Sequence, residues 1–410
     1  MRLNTVAITS GLLTQVDLVE LGARCGLLWR SGSTVLVGIG EGERVPLTLD
    51  GDRASIQAVL DGLRGDDACS VPGSGPVGFA ALPFDRSGQA SVIVAPIVLG
   101  ATDGKRFLTA PQGVTPEQVE EQVREILAVD VEPMPTEIAL ELDRSATSWR
   151  DEVVQAAREH LAENPIRKAV LARKLVLRAD SPFPVPTIVI DLADRFPTAS
   201  VFAIDGFVGA SPETLVGRSG RTVRAHPLAG TAGRDPDPEV DDEIVESLRA
   251  SSKDRTEHKI TIDWLLTELL PFCSYVDAEP DPSVVSLANV HHLGTLVEGV
   301  LSSPPASVLD LVHAVHPTPA VGGDPQDEAL ALIESTEGFD RERYAGPAGW
   351  FDADGNGEFA VSVRTAQVRG SEATIWAGVG VVAQSDPDSE LLETQVKFVA
   401  MLGTFLADRL

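Results

Sequence analysis

The most apolar stretch of this chain, Ala90–Ala101, is cut by Pro96 and falls far short of the roughly 20 residues a membrane helix needs. The core must therefore be assembled from short elements. In residues 1–130 these read as β-like runs, Ser33–Ile39, Val77–Leu82 and Ser91–Val98, separated by Gly, Pro and Asp. The acidic, proline-bearing segment Val129–Thr136 reads as a connector. Beyond it, Trp149–Ala162 has the spacing of an amphipathic helix and Ala169–Arg178 reads as a buried strand. Helices and strands then mix without a regular βαβ rhythm, which predicts an α+β fold with largely antiparallel sheet.

Two later stretches can be read more closely. Phe359, Val361 and Val363 alternate with Ala360, Ser362 and Arg364, a half-buried strand with Arg364 on its less apolar face. Asn356-Gly357 before it is a favoured hairpin turn. Asp388–Leu410 reads as a final helix, with Leu392, Val396, Val399, Leu402 and Leu406 on one side. Glu390, Glu393 and Lys397 fall together on the other.

Charge narrows the function. A net charge of -28 over 410 residues repels phosphates and argues against a nucleic-acid or anionic-membrane partner. An anionic small molecule would need local cations or a metal to offset that field. Cys25, Cys69 and Cys273 are scattered and without CxxC spacing, which suggests a reducing compartment and no disulfide framework. Residues 1–20 carry one Arg and no apolar signal-peptide core, so the expected location is cytoplasmic.

Several familiar signals fail. Val37–Gly42 lacks the spacing of a phosphate-binding loop, and no helix pattern follows it. Asp352, Asp354, Asn356 and Gly357 mimic the start of a calcium loop, but Val363 stands where a bidentate Glu is required. No histidine pair has zinc-site spacing.

The informative motifs are short and glycine-punctuated. Gly209–Glu213 sets an acid at a tight turn after an apolar strand. Pro227–Gly233 has so little side-chain bulk that its backbone N–H groups could approach an anion. Lys253–His258 opens an apolar helix reaching Leu270, and Glu393 and Lys397 form an i,i+4 pair. Singly, each reads as an ordinary turn or helix start. Lys168 by itself reads as a surface residue at the start of a strand.

Taken in order, the strings Lys168–Arg173, Gly209–Glu213, Pro227–Thr231, Lys253–His258, His316–Ala320, Tyr344–Gly346, Gly355–Arg364, Ala377–Gly380 and Ser385–Lys397 resemble the chorismate-utilising enzymes. The likeness covers about residues 145–407, and it implies that family's fold, antiparallel sheets in a sandwich-like core with helices packed outside. Residues 1–140 then form a variable N-terminal part of the same domain and 141–410 the chorismate-binding catalytic region.

The resemblance also implies roles. Glu257 and Glu393 would hold Mg²⁺, with Asp254 and Glu390 nearby through metal-bound waters. Arg364, Tyr344 and the backbone near Gly378 match positions that bind the enolpyruvyl carboxylate. Gly230, Thr231, His292, Ala320 and Lys397 match the remaining substrate wall. Lys168 matches the general base that activates water and Glu213 the general acid for the departing hydroxyl. Related ammonia-using enzymes carry Gln where Lys168 stands, and others carry a nucleophilic lysine where this chain has Ala229. These features imply a Mg²⁺-dependent isomerase that turns chorismate into isochorismate, for menaquinone or siderophore synthesis. A salicylate-forming lyase and a non-catalytic chorismate-binding module are the alternatives. A water nucleophile needs no glutamine amidotransferase subunit, and a monomer is the default expectation.

Overall fold

Antiparallel pairing organises almost the whole molecule, and it begins from the strand expected at Ala169–Arg178. The computed structural model describes residues 1–287 and 290–406, without the side chain of Lys253. That strand runs Lys168–Ala179 and pairs antiparallel with Glu372–Val381 from Ala169↔Val381 to Arg178↔Glu372. It belongs to a 13-stranded sheet, beside which stand a nine-stranded and a three-stranded sheet. Among the described residues the single parallel pairing joins Leu3–Ala7 to Arg64–Asp67. The fold is α+β with large antiparallel sheets, as the sequence predicts. Among the described residues no helix is long and apolar enough to cross a membrane.

Strands from the first 111 residues are woven into both large sheets: Leu27–Ser31 and Thr34–Ile39 into one, Val77–Ala81 and Gln89–Val94 into the other. The two sheets share an apolar core containing Trp29, Phe79, Phe202, Phe207, Phe351 and Phe359. A second core lies between the 13-stranded sheet and helices including Leu18–Cys25, Val185–Arg195 and Pro387–Leu406. A third, around Trp149, Leu171 and Ile333, covers the beginning of the Lys168 strand. Burial on both faces explains why that strand reads as a near-continuous apolar run.

The structure corrects four local expectations. Ser91–Val98 is two strands, Gln89–Val94 and Ile97–Thr102, because the chain turns at Ala95-Pro96. The Trp149–Ala162 helix contains a wide π turn over Trp149–Val154 before it resumes as α-helix at Gln155–Glu163. Asn356-Gly357 is not a two-residue turn: Phe351 pairs with Gly357, and the loop closes through Asp352, whose carboxylate accepts from the backbone N–H groups of Asp354 and Asn356. Arg364 lies beyond the strand Gly357–Val361, at φ +54°, and not on a strand face.

The final helix runs Pro387–Leu406; residues 407–410, included in the expected helix, lie outside the described residues. Its buried stripe is Glu390, Thr394, Phe398, Met401 and Phe405, while Leu392 and Val399 are 60% and 54% exposed. The helix is turned by about one residue from the orientation its apolar residues suggest. Arg173, which donates to Thr394 Oγ1 at 2.9 Å, and Phe183, edge-on to Phe405 at 5.2 Å, fix that rotation. Phe398→Ala is therefore expected to cost about 3–5 kcal/mol, and Val399→Ser less than about 0.5 kcal/mol; denaturant unfolding of the two variants measures the difference.

Candidate active site

The Lys168 strand meets its partner at a pocket lined by both. Lys168 and Val170 face the pocket, whereas Ala169 and Leu171 point into the third core, as period-two alternation requires. The partner strand contributes Trp376, Gly378 and Gly380 on the same alternation. Gly380 is there for space: a Cβ would lie 2.6 Å from Lys168 Cε and 3.0 Å from Glu257 Oε1. Lys168 is 3% exposed, and its ammonium meets Glu257 at 2.6 Å. Glu257 projects from the helix Ser252–Leu269, started by Ser251, whose hydroxyl accepts from Asp254 N–H at 3.2 Å.

Glu213 follows the strand Phe207–Ser211. Its N–H donates to Ser211 Oγ at 3.2 Å and its carbonyl accepts from Val361 N–H at 3.1 Å, so the backbone is pinned at both ends. The side chain lines the pocket, 5% exposed, and its Oε1 has no hydrogen-bond partner. Burial pushes the carboxyl up to about 7, although the Leu228 N–H and the charges of Lys168, Arg364 and Lys397 pull the other way.

Opposite stands a chain of donors. Arg364 Nη2 lies 3.0 Å from His292 Nε2. A guanidinium has no acceptor, so Nε2 carries the lone pair and the proton sits on Nδ1. That nitrogen lies 3.1 Å from Thr231 Oγ1 and 3.3 Å from the Gly230 carbonyl. Burial, followed by the Arg364 charge, holds His292 well below the usual imidazole range, so the ring is neutral. Arg364 Nε is buried without a partner. Gly230 has φ +78°, and a Cβ there would sit 3.0 Å from Asp254 Cβ.

Tyr344 stacks on Trp376 with ring centroids 5.8 Å apart. A Cβ on Gly378 would come within 2.8 Å of its hydroxyl, so glycine admits the phenol. Burial raises that phenol to about 12, which keeps it a neutral hydrogen-bonding group. Lys397 donates to the Gly378 carbonyl at 2.9 Å and meets Glu393 at 2.7 Å.

The structure thus gathers Lys168, Glu213, Gly230, Thr231, Glu257, His292, Ala320, Tyr344, Arg364, Gly378, Glu393 and Lys397 around one pocket. Two of the expected carboxylates do not line it: Asp254 hydrogen-bonds the Ser251 hydroxyl, and Glu390 is buried along the final helix. Among the described residues no three His, Cys, Asp or Glu side chains gather into a metal-holding cluster. Glu257 and Glu393, on two helices, are the carboxylates available to a cation. Sequence reasoning missed Trp376 and Gly380, although both share the strand face of Gly378 at i±2. It also missed the Lys168–Glu257 contact, which no local pattern encodes.

Comparison with known proteins agrees with this geometry. Residues 23–406 match the family model described as chorismate binding enzyme. The isochorismate synthase MenF of Bacillus subtilis is 34% identical over 369 residues, 87% of this chain and 76% of that one. A MenF-named protein of Mycobacterium tuberculosis is 37% identical over 355 residues, 83% of this chain and 89% of that one. The structure of the menaquinone-specific isochorismate synthase MenF from Escherichia coli superposes with TM-score 0.81 at 26% identity, covering 98% of this chain and 94% of that one. A match spanning the sheets, the helices and every wall of the pocket places this chain in the chorismate binding enzyme family.

Proposed function

We propose that the chain is an isochorismate synthase that adds water at C2 of chorismate and expels the C4 hydroxyl. The observation that carries this reading is Glu213, a buried carboxyl raised to about 7 and facing a pocket it shares with the Lys168 amine. Hydroxide is a poor leaving group, so C4–O cleavage needs a proton donor, and an acid with pKa near the working pH is the best compromise. Lys168 stands in the same pocket to take a proton from the attacking water. As water bonds to C2, the ring double bonds shift, C4–O breaks, and Glu213 delivers the proton that makes the departing group water.

Binding chorismate, a dicarboxylate, requires positive charge. Arg364 and Lys397 line the pocket, and a guanidinium can pair bidentately with a carboxylate. The neutral His292 orients Arg364, and Tyr344 supplies a hydroxyl beside Gly378. The donor set fits Mg²⁺, which uses one or two protein carboxylates and leaves positions for water and substrate oxygens. Glu257 and Glu393 would hold it, and the ion would offset the charge of the substrate carboxylate. An ion held by Glu257 would draw that carboxylate's charge away from the Lys168 amine, which stands 2.6 Å from it.

Product analysis with chorismate and Mg²⁺ tests the assignment: isochorismate as the main product is expected, and salicylate plus pyruvate would overturn it in favour of a lyase. Lys168→Ala is expected to lower turnover by about two to four orders of magnitude with the fold intact by circular dichroism; near-parental turnover would remove Lys168 as the base. Glu257→Gln and Glu393→Gln are each expected to raise the Mg²⁺ concentration needed for half-maximal rate. Glu213 also predicts a pH signature. Its folded pKa lies above the ordinary glutamate value of 4.5, so the protonated form's stabilisation is complete below pH 4.5 and is lost as pH rises through about 7. The stability of Glu213→Gln relative to the parent should therefore grow between those values, by on the order of 3 kcal/mol at most, and level off above them; a pH-independent difference would refute the raised pKa.

A further inference from the structure

The strand that begins at Lys168 has a gap along one edge. Its inner edge is paired throughout with Glu372–Val381. On the outer edge, Gly323–Asp324 reaches only Lys168 and Ala169, and pairing with Ile138–Leu142 starts at Leu175. Backbone groups left between those partners are buried and need hydrogen bonds. Val170 N–H reaches the Gly322 carbonyl at 2.9 Å and Trp149 Nε1 donates to the Ala172 carbonyl at 3.2 Å; a pair of side chains supplies the other two bonds. Glu337 Oε1 accepts from Ala172 N–H at 2.7 Å, and Arg341 Nη2 donates to the Val170 carbonyl at 2.6 Å.

The same pair reaches two further walls of the pocket. Arg341 Nη1 donates to the Val321 carbonyl at 2.8 Å, next to Ala320, and the Arg341 carbonyl accepts from Tyr344 N–H at 2.9 Å. Arg341 Nε holds Glu337 Oε2 at 2.9 Å, and the guanidinium lies over the Phe84 ring at 4.3 Å. The side chains are 3% and 1% exposed. A buried ion pair brings little net stability, and Glu337, the last residue of its helix, sits where the dipole disfavours a carboxylate. Stability alone does not account for it; the backbone atoms it holds do.

We propose that Glu337 and Arg341 are positioning residues for the reaction, a surrogate strand that sets Lys168, Ala320 and Tyr344 relative to one another. Neither side chain lines the pocket, so both act through the backbone they hold. The inference rests on the assignment of Lys168 as the base. A displacement of that amine by a fraction of an ångström lowers the rate of the chemical step more than it weakens substrate binding.

The test is steady-state kinetics of R341K and E337Q with chorismate and Mg²⁺, per folded molecule as measured by circular dichroism. A lysine gathers its donors on one nitrogen and loses the fork that reaches the Val321 and Val170 carbonyls from two nitrogens. R341K is expected to lose about tenfold or more in kcat with KM changed by less than about threefold. E337Q keeps an acceptor for Ala172 N–H but turns an amide donor toward Arg341 Nε, so its loss in kcat is expected to be smaller than that of R341K. Should R341K not fold, R341Q replaces it, with one remaining donor group and the same expected loss. Parental kcat in the folded Arg341 variant, or a loss carried by KM alone, overturns the proposal. So does an E337Q loss as deep as that of R341K, which would make charge rather than backbone placement the cause. A parent enzyme that forms no isochorismate refutes instead the function on which the proposal rests.

Discussion

The contact on which the site depends is the 2.6 Å pairing of Lys168 with Glu257. The lysine begins a strand of the 13-stranded sheet, whereas the glutamate projects from a helix packed against the three-stranded sheet. The two meet only when those layers dock, so the pocket is a product of the whole fold. Its electrostatics follow from that docking. Lys168, Arg364 and Lys397 face two carboxylates, Glu257 and Glu393, together with an acid, Glu213, that burial raises to about 7 and so leaves only partly ionised near neutral pH. This local excess of positive charge is what an anionic ligand requires inside a molecule of net charge -28.

Rigid backbone does much of the positioning. Glu213 is fixed through both its N–H and its carbonyl, and Arg364 occupies φ +54°, a region costly for a residue with a Cβ. Such strain persists where surrounding structure overdetermines it, and the neutral His292 is the neighbour that receives Arg364 Nη2. Gly378 and Gly380 leave room on one strand face for the Tyr344 hydroxyl and the Lys168 stem. Side chains held this way have little reorganisation left to do if charge develops beside them.

Much of the fold is legible in the residues. Ala169–Arg178 reads as a strand because both of its faces are buried, and the connector Val129–Thr136 reads as one because its prolines and acids favour neither helix nor sheet. The final helix is legible as a helix but not in its rotation. Leu392 and Val399 suggest an inward face, yet Thr394 and Glu390 take it, because Arg173 holds Thr394 and Phe183 packs on Phe405. Pro96 marks a turn between two strands rather than the interior of one, a difference set by which strands lie alongside. The site is less legible. Lys168 and Glu213 have unremarkable neighbours in sequence, and resemblance to a family, not local pattern, draws attention to them. Burial, the property that raises Glu213, belongs to tertiary structure and has no local signature.

The central claim, that solvent water enters at C2 as the C4 hydroxyl leaves, is tested most directly by carrying out the reaction in ¹⁸O-labelled water and locating the label in the product. One ¹⁸O atom is expected, on the C2 hydroxyl of isochorismate. Unlabelled isochorismate would show that the original hydroxyl migrates within the substrate, and would contradict the assignment of Lys168 and Glu213 as a base and acid acting on water.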